Sequence, residues 1–491
     1  MKVLLIALYK SSELDLREDF IPSSALVSLG ASVREYGHEP VLMDLNNSVT
    51  HKQTDPNQYS LRKIFEAIRK EKPALIGFNC LFSGIFPTIL EFVREIKKTF
   101  PDLPIATGGI HPTTFPQEIL ENTPEIDYIA LGEGESQLLQ LIESIDTDDL
   151  DSLSEINSFA YRDKDGDVKI NRNQILLNYD EMPMPAWDMV KFEDFHMELG
   201  HFYNPKNLDL KTIIPIVSER GCPYRCNFCD MHVVMGRKLR RKNALSFVDE
   251  LEVLSKEFGQ NYFAFMDDNL TLDKKHILSI CHEITKRNIN IQFDTTGGLN
   301  INSLDEEIIE AMVGAGMVSA TIAPEHGNEY IRNEVIGKML PLHRIYEVVE
   351  IMKKYQVQIG SGWIMGFPED TNETLQDSYD LMVDLKLDRN ATGVAIPFPG
   401  TKLFDQVVRD DLFVEEFDPT QLWHTPTFAT QMEFPIKPYN MTIDDLREWR
   451  VKFTELRYKF FGWSNDTFVL PLEGTHGRPV GHLLPRGAQP A

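Results

Sequence analysis

Short apolar runs alternate with helical segments twice along this chain of 491 residues, and no other feature narrows its fold as much. In residues 1–145 the runs are "KVLLIAL" (2–8), "PVLMDL" (40–45), "ALIGFNC" (74–80), "LPIATGG" (103–109) and "IDYIALG" (126–132). Strands this apolar are buried on both faces, and helical crossovers between them imply a parallel, doubly wound α/β sheet. The alternation resumes with "IIPIVSE" (213–219), "YFAFMD" (262–267), "IQFDTT" (291–296), "VSATIA" (318–323), "QIGSGWI" (358–364) and "GVAIPF" (393–398). Six strand-and-helix units predict a partial β/α barrel over residues 206–430, with its chemistry at the carboxyl ends of the strands. Residues 146–205 read as a linker with a hairpin, "SFAYRDKDGDVKINRN", about an Asp-Gly turn. In residues 431–491, "MTIDDLREWRVKFTELRYKFFGW" predicts an amphipathic helix with Trp449, Phe453, Tyr458 and Phe461 on its apolar face. The Pro- and Gly-rich end that follows is expected to be disordered.

Composition excludes several classes. No apolar run approaches the roughly 20 residues that cross a bilayer, so no transmembrane span is expected. The opening "MKVLLIALYKSSELD" is too short in its apolar part for a signal peptide and reads as a buried first strand. A formal net charge of −26 repels polyanions, which argues against a nucleic-acid partner. The basic run "GRKLRRKN" (236–243) leads into "NALSFVDELEVLSKEF", where Asn243 is a helix N-cap; an approach to a helix is preferred over a phosphate site. Five cysteines, three of them clustered, do not make a disulfide framework, and point to a reducing cytoplasm and metal or redox chemistry. Cys80 and Cys281 stand in apolar stretches as small buried hydrophobes.

Ligands of doubly wound sheets bind outside the carboxyl ends of the strands. Those ends carry Ser83 and Gly84, then Gly108 and Gly109 in "TGGIHPT", then Gly132, Glu133 and Gly134 in "LGEGE". A dinucleotide site is disfavoured, because no G-x-G-x-x-G follows the first strand, which runs into "ALYKSSELDLRE". Just after the first strand of the second set, "RGCPYRCNFCDM" (220–231) spaces Cys222, Cys226 and Cys229 as C-x-x-x-C-x-x-C. A structural zinc ion wants four ligands, the fourth here being at best His232. A cubane iron–sulfur cluster held by three thiolates instead leaves one iron open to a small molecule.

C-x-x-x-C-x-x-C after the first strand of a six-unit barrel resembles the radical S-adenosylmethionine superfamily. Phe228 matches the aromatic position near the adenine, and "FMDDNLT" resembles the segment beside the methionine amino group, with Asp267, Asp268 and Asn269 as candidates. "APEHGNEYIRNEVIGK" is similar to the glutamate-bearing segment after the fourth strand, so Glu325 is placed at the ribose or amino group, although Pro324 and His326 replace the usual glycine and serine. "GWIMGFPEDT" resembles the fifth-strand segment, with Gly362, Gly366 and Pro368 shaping backbone contacts to the adenosine. "PFPGTKL" is similar to the sixth-strand stretch. A doubly wound domain ahead of such a barrel resembles the cobalamin-binding subclass, placing cobalamin at Ser83, Gly84, Gly108, Gly109, Gly132, Glu133 and Gly134. The D-x-H-x-x-G that supplies an axial histidine is missing from "YKSSELDL", so no histidine is expected on cobalt.

The resemblance implies a [4Fe-4S] cluster, S-adenosyl-L-methionine and cobalamin as cofactors. It implies that an electron from the reduced cluster cleaves the sulfonium, that a 5′-deoxyadenosyl radical takes hydrogen from an unactivated carbon, and that the substrate radical collects methyl from methylcobalamin. The expected function is a C-methyltransferase on a small-molecule, lipid or peptide substrate, served by an electron donor such as flavodoxin or ferredoxin. The rivals are a non-methylating cobalamin-dependent radical oxidase or cyclase, and a zinc- or cobalamin-binding regulator without catalysis.

Overall fold

The computed structural model describes residues 1–8, 20–81, 83–173, 176–196, 203–414, 423, 434–457, 459–460, 468–469 and 484–485. Two compact units emerge: Met1–Met197 with Met231–Gly236 and Asp418–Met432, and Glu198–Asp230 with Arg237–Phe417 and Glu433–Ala491.

In the first unit, β1 (Lys2–Ala7), β2 (Glu39–Asp44), β3 (Leu75–Asn79), β4 (Ile105–Gly108) and β5 (Tyr128–Ala130) form a parallel sheet in the order β2-β1-β3-β4-β5. β1 lies inside this sheet, and Val3, Leu4 and Ile6 are fully buried, as an all-apolar strand covered on both faces requires. Helices Ser24–Glu35, Pro56–Glu71 and Phe86–Thr99 cross over between parallel strands, and Glu135–Asp146 follows β5. Their starts are fixed locally: Ser23 caps the first through Leu26, and Asp55 caps the second, with Pro56 at its first position. The expected hairpin is β6 (Phe159–Arg162) and β7 (Val168–Asn171), and it extends the sheet, β6 pairing antiparallel with β5. Its turn closes where Asp163 Oδ1 accepts the N–H groups of Asp165 and Asp167 and Gly166 takes a φ of +88°.

In the second unit, β8 (Ile213–Ile216) leads to a two-stranded ribbon of β9 (Glu219–Arg220) and β10 (Arg240–Arg241). The major strands continue with β11 (Tyr262–Phe265), β12 (Gln292–Leu299), β13 (Met317–Glu325), β14 (Gln358–Met365) and β15 (Arg389–Val394). With β8 they form a six-stranded, wholly parallel sheet in chain order, open between β8 and β15, as the six-unit partial barrel requires. Asn243 caps helix Ala244–Lys256 as expected, accepting from Leu245 N–H. The basic run ahead of it is used within the fold: Arg240 and Arg241 form β10, and Lys242 pairs with Glu250 at 2.7 Å, both buried.

One strand is displaced from its expected place. The sixth was expected at 393–398, yet β15 is the more polar Arg389–Val394. It is an edge strand, and its outer side is met by the end of helix Ile443–Glu455, where Asn390 N–H donates to Arg457 O at 2.9 Å. A covered edge satisfied by backbone and amide groups needs no apolar run. Trp449 and Phe453 of that helix are buried and pack against Tyr379 of helix Asn372–Leu385, while Tyr458 and Phe461 lie outside the described residues. All but two residues of the tail from 472 onward also lie outside them.

Candidate functional site

The carboxyl ends of β8, β11, β13 and β14 bring the barrel candidates together. Cys222, Cys226 and Cys229, each half-buried and in no disulfide, stand on the loop after β9. Cys80 and Cys281 are buried elsewhere, and burial pushes the Cys281 thiol up to about 12.

The loop is tied down from several sides. Asp267, after β11, accepts at one oxygen from Ser218 N–H at 2.8 Å, Ser218 Oγ–H at 2.5 Å and Glu219 N–H at 2.8 Å. Asp268 accepts from Gly221 N–H at 2.7 Å, and Asn269 Nδ2–H donates to Cys222 Sγ at 3.1 Å. None of the three caps the following helix, Lys274–Lys286, whose N-cap is Asp273. Asp267 is 2% exposed, with one carboxylate oxygen turned to the backbone before the cysteines, so it positions the loop. Asn227 N–H donates to Ile336 O, and Asn227 O accepts from Leu403 N–H, each at 3.0 Å. Phe228, between the last two cysteines, packs on Phe367 with ring centroids 6.2 Å apart.

Glu325 ends β13 in the left-handed region, at a φ of +66°, an uncommon conformation for a residue with a side chain. Its Oε1 accepts from Lys338 Nζ at 2.7 Å, the two side chains being 11% and 15% exposed. Burial opposes the Lys338 charge, but Glu325, Cys226 and Cys222 outweigh it and raise its proton affinity. Burial pushes the Cys226 thiol up, and Lys338 pulls it back down. Gly362 lies in β14 with open space where a side chain would start. Gly366 takes a φ of +89° just after the strand, and the Pro368 carbonyl accepts from Tyr439 N–H at 2.8 Å.

Two residues of this edge escaped the sequence reading. Lys338 closes the glutamate-bearing segment, thirteen positions after Glu325, and nothing in the spacing aims its side chain back. Gly297, in the third strand, runs so close to Asp267 that a Cβ would lie 2.8 Å from the Asp267 carbonyl oxygen; the "TGG" after that strand was a signal for it.

The donor set fits an iron–sulfur cluster: three thiols on one anchored loop, with an amide N–H on one sulfur.

In the first unit, the carboxyl ends of β3, β4 and β5 gather the other candidates. Ser83 and Gly84 open a 3₁₀ turn, Gly108 ends β4, and Gly132 and Gly134 flank the buried Glu133 before helix Glu135–Asp146. All but Glu133 are half-buried. Gly109 takes a φ of +108°, and a Cβ there would stand 2.5 Å from the Cys80 carbonyl oxygen, so the fold itself demands glycine. Gly132 likewise backs onto the Val234 carbonyl oxygen, and its N–H donates to Thr113 Oγ1 at 2.9 Å. His111 is 1% exposed, with Nδ1 at 2.9 Å from Ser83 Oγ and Nε2 at 2.8 Å from Trp423 O. Burial holds its pKa down at about 4, and with both nitrogens engaged it offers no ligand to a metal. The stretch after β1 where an axial histidine would stand lies outside the described residues.

Comparison with known proteins agrees with both halves. The B12 binding domain family model matches residues 17–142 and the Radical SAM superfamily model residues 216–382. The chain is 24% identical over 416 residues to cytidylyl-2-hydroxyethylphosphonate methyltransferase of Streptomyces wedmorensis, covering 78% of this chain and 77% of that one. It is 25% identical over 365 residues to anaerobic magnesium-protoporphyrin IX monomethyl ester cyclase of Rubrivivax gelatinosus, covering 74% and 63%. Its fold matches that of the radical S-adenosylmethionine methyltransferase TsrM from Kitasatospora setae, solved with cobalamin and a [4Fe-4S] cluster, at a TM-score of 0.64 and 18% identity over 83% of this chain and 75% of that one. Among the described residues no helix is long and apolar enough to cross a membrane.

Proposed function

We propose that this chain, a member of the cobalamin-binding branch of the radical S-adenosylmethionine superfamily, is a C-methyltransferase acting on an unactivated carbon of a small molecule. The observation that carries the reading is the cysteine loop, whose start is tied to the segment after β11 by Asp267, Asp268 and Asn269, the last bonded to the Cys222 sulfur. In this reading Cys222, Cys226 and Cys229 hold the cluster. Phe228 offers an apolar wall backed by Phe367, while Asp267, Asp268, Asn269, Glu325, Gly362, Gly366 and Pro368 surround S-adenosylmethionine. Ser83, Gly84, Gly108, Gly109, Gly132, Glu133 and Gly134 line the cobalamin rim. When bound, the three groups supply one-electron cleavage of the sulfonium, hydrogen abstraction and methyl transfer, while the protein supplies orientation and exclusion of water.

The chain's own part is rigidity and charge. Asp267 fixes the backbone before Cys222, so the first thiol arrives preplaced. Glu325 presents a nearly buried carboxylate at a positive φ, held by Lys338 at 2.7 Å. A one-electron protein donor of the flavodoxin or ferredoxin kind and a cytoplasmic setting belong to the same reading, the latter supported by five cysteines that form no disulfide.

The likeness to a cyclase keeps a second reading, radical chemistry without methyl transfer. Anaerobic reconstitution with iron, sulfide and cobalamin, then reductant and S-adenosylmethionine, separates the two. Both 5′-deoxyadenosine and S-adenosylhomocysteine support the methyltransferase; 5′-deoxyadenosine alone supports the cyclase-like enzyme; neither, from protein carrying zinc, rejects both.

A further inference from the structure

Lys338 is built into the cysteine loop by its backbone as well as its side chain. Two residues before it, Ile336 O accepts from Asn227 N–H at 3.0 Å, between Cys226 and Phe228. Gly337, at a φ of +79°, then passes beside the Arg225 carbonyl oxygen, 3.7 Å from where its Cβ would stand. Lys338 N–H donates to Arg332 O at 3.0 Å. Arg332 is itself fully buried and donates to Leu340 O, His326 O and Gly327 O at 2.8–2.9 Å. The turn is therefore immobilised on both sides, with its backbone against the segment that carries Cys226, and it holds one nearly buried ammonium against Glu325.

We propose that Lys338 is the fixed positive charge of this loop, a positioning residue that makes the bound iron–sulfur cluster easier to reduce. The proposal rests on the radical S-adenosylmethionine reading above. Reduction adds one electron to the cluster from a one-electron donor, with no bond made or broken and no proton required. The reduced cluster is one unit more negative than the oxidised one. A cation held close by in a poorly screened site favours the more negative state, and this one is kept in place by its ion pair with Glu325 on a pinned turn. Glu325 partly offsets the charge, so removing Glu325 must act in the opposite direction from removing Lys338.

The test is a redox titration of anaerobically reconstituted protein, read by electron paramagnetic resonance of the reduced cluster without S-adenosylmethionine. The samples are wild type, Lys338→Met, Lys338→Arg and Glu325→Gln, matched for iron and sulfide. Lys338→Met is expected to disfavour reduction about tenfold, a fall of about 59 mV for one electron, with Lys338→Arg close to wild type and Glu325→Gln shifted upward. A Lys338→Met protein with full cluster content and an unchanged midpoint overturns the proposal while leaving the enzyme reading intact. Should Lys338→Met take up no cluster, Glu325→Gln decides: an upward shift supports the proposal, and no shift or a fall overturns it. A wild-type chain that takes up no cluster at all rejects the enzyme reading and this inference with it.

Discussion

His326 Nε2–H donates to Asp370 Oδ1 at 3.1 Å with both side chains fully buried, which joins the residue after Glu325 to the turn after β14. Nδ1 of the same ring accepts from Asn328 N–H at 3.0 Å, so the ring is the neutral tautomer with its proton on Nε2. The other carboxylate oxygen of Asp370 accepts the N–H groups of Gly366 at 2.7 Å and Phe367 at 2.9 Å. One carboxylate thus sets the spacing between two segments proposed to meet S-adenosylmethionine.

Asp370→Asn loses an ionised acceptor for three buried donors and is expected to cost about 2–3 kcal/mol, with His326→Ala close to that. The double variant should cost clearly less than the sum, because each change breaks the same bond. Urea unfolding of the three variants checks this, and strict additivity would show that the two residues do not act as one latch. S-adenosylmethionine affinity should fall with the single variants, read by equilibrium dialysis.

Gly109 and Gly166 both hold positive φ angles, +108° and +88°, yet only Gly109 has a carbonyl oxygen within 3 Å of the missing Cβ. Gly166→Ala carries conformational strain alone, about 1–2 kcal/mol. Gly109→Ala adds a clash with backbone, which cannot swing aside, so a loss of about 3 kcal/mol or more is expected. Thermal unfolding of both variants gives the comparison, and cobalamin uptake should drop only for Gly109→Ala.

Cys226→Ala should lower 5′-deoxyadenosine formation at least about 100-fold, the barrier rising by at least about 2.7 kcal/mol, with loss of bound iron. Cys281→Ala removes a buried sulfur from helix Lys274–Lys286, at roughly 1 kcal/mol of stability, and should keep both iron and activity. Iron content beside product yield separates ligand from filler.

Strands β1, β3 and β8 were legible because a buried parallel strand must be apolar along its whole length. β15 was misplaced for the complementary reason: covered at its edge by helix Ile443–Glu455, it carries Asn390 and Thr392, and the apolar run downstream drew the expectation away. The cysteine spacing marked the loop, since spacing along a chain is local information. Lys338 and the inward turn of Asp267 were not legible, because each side chain answers to partners distant in sequence, Glu325 in one case and Ser218 in the other.

Glu219 is buried three residues before Cys222, and burial, with Asp267 beside it, pushes its pKa up to about 9 from an ordinary 4.5. The folded chain therefore keeps a proton that the unfolded chain gives up, so stability should fall as pH rises from about 4.5 to 9. Asp267, raised to about 6 chiefly by burial, adds a smaller fall in the same direction at lower pH. Glu219→Gln imitates the protonated form, so its stability should match wild type near pH 5 and exceed it at pH 8 by more than about 1.4 kcal/mol, the equivalent of one tenfold step in proton affinity. Urea midpoints at the two pH values measure the difference, and parallel profiles would place the Glu219 proton elsewhere. The neutral carboxyl matters to the loop because two carboxylates crowded beneath it would repel. With Glu219 uncharged, Asp267 can keep its charge and its three hydrogen bonds to the backbone and hydroxyl that precede the cysteines.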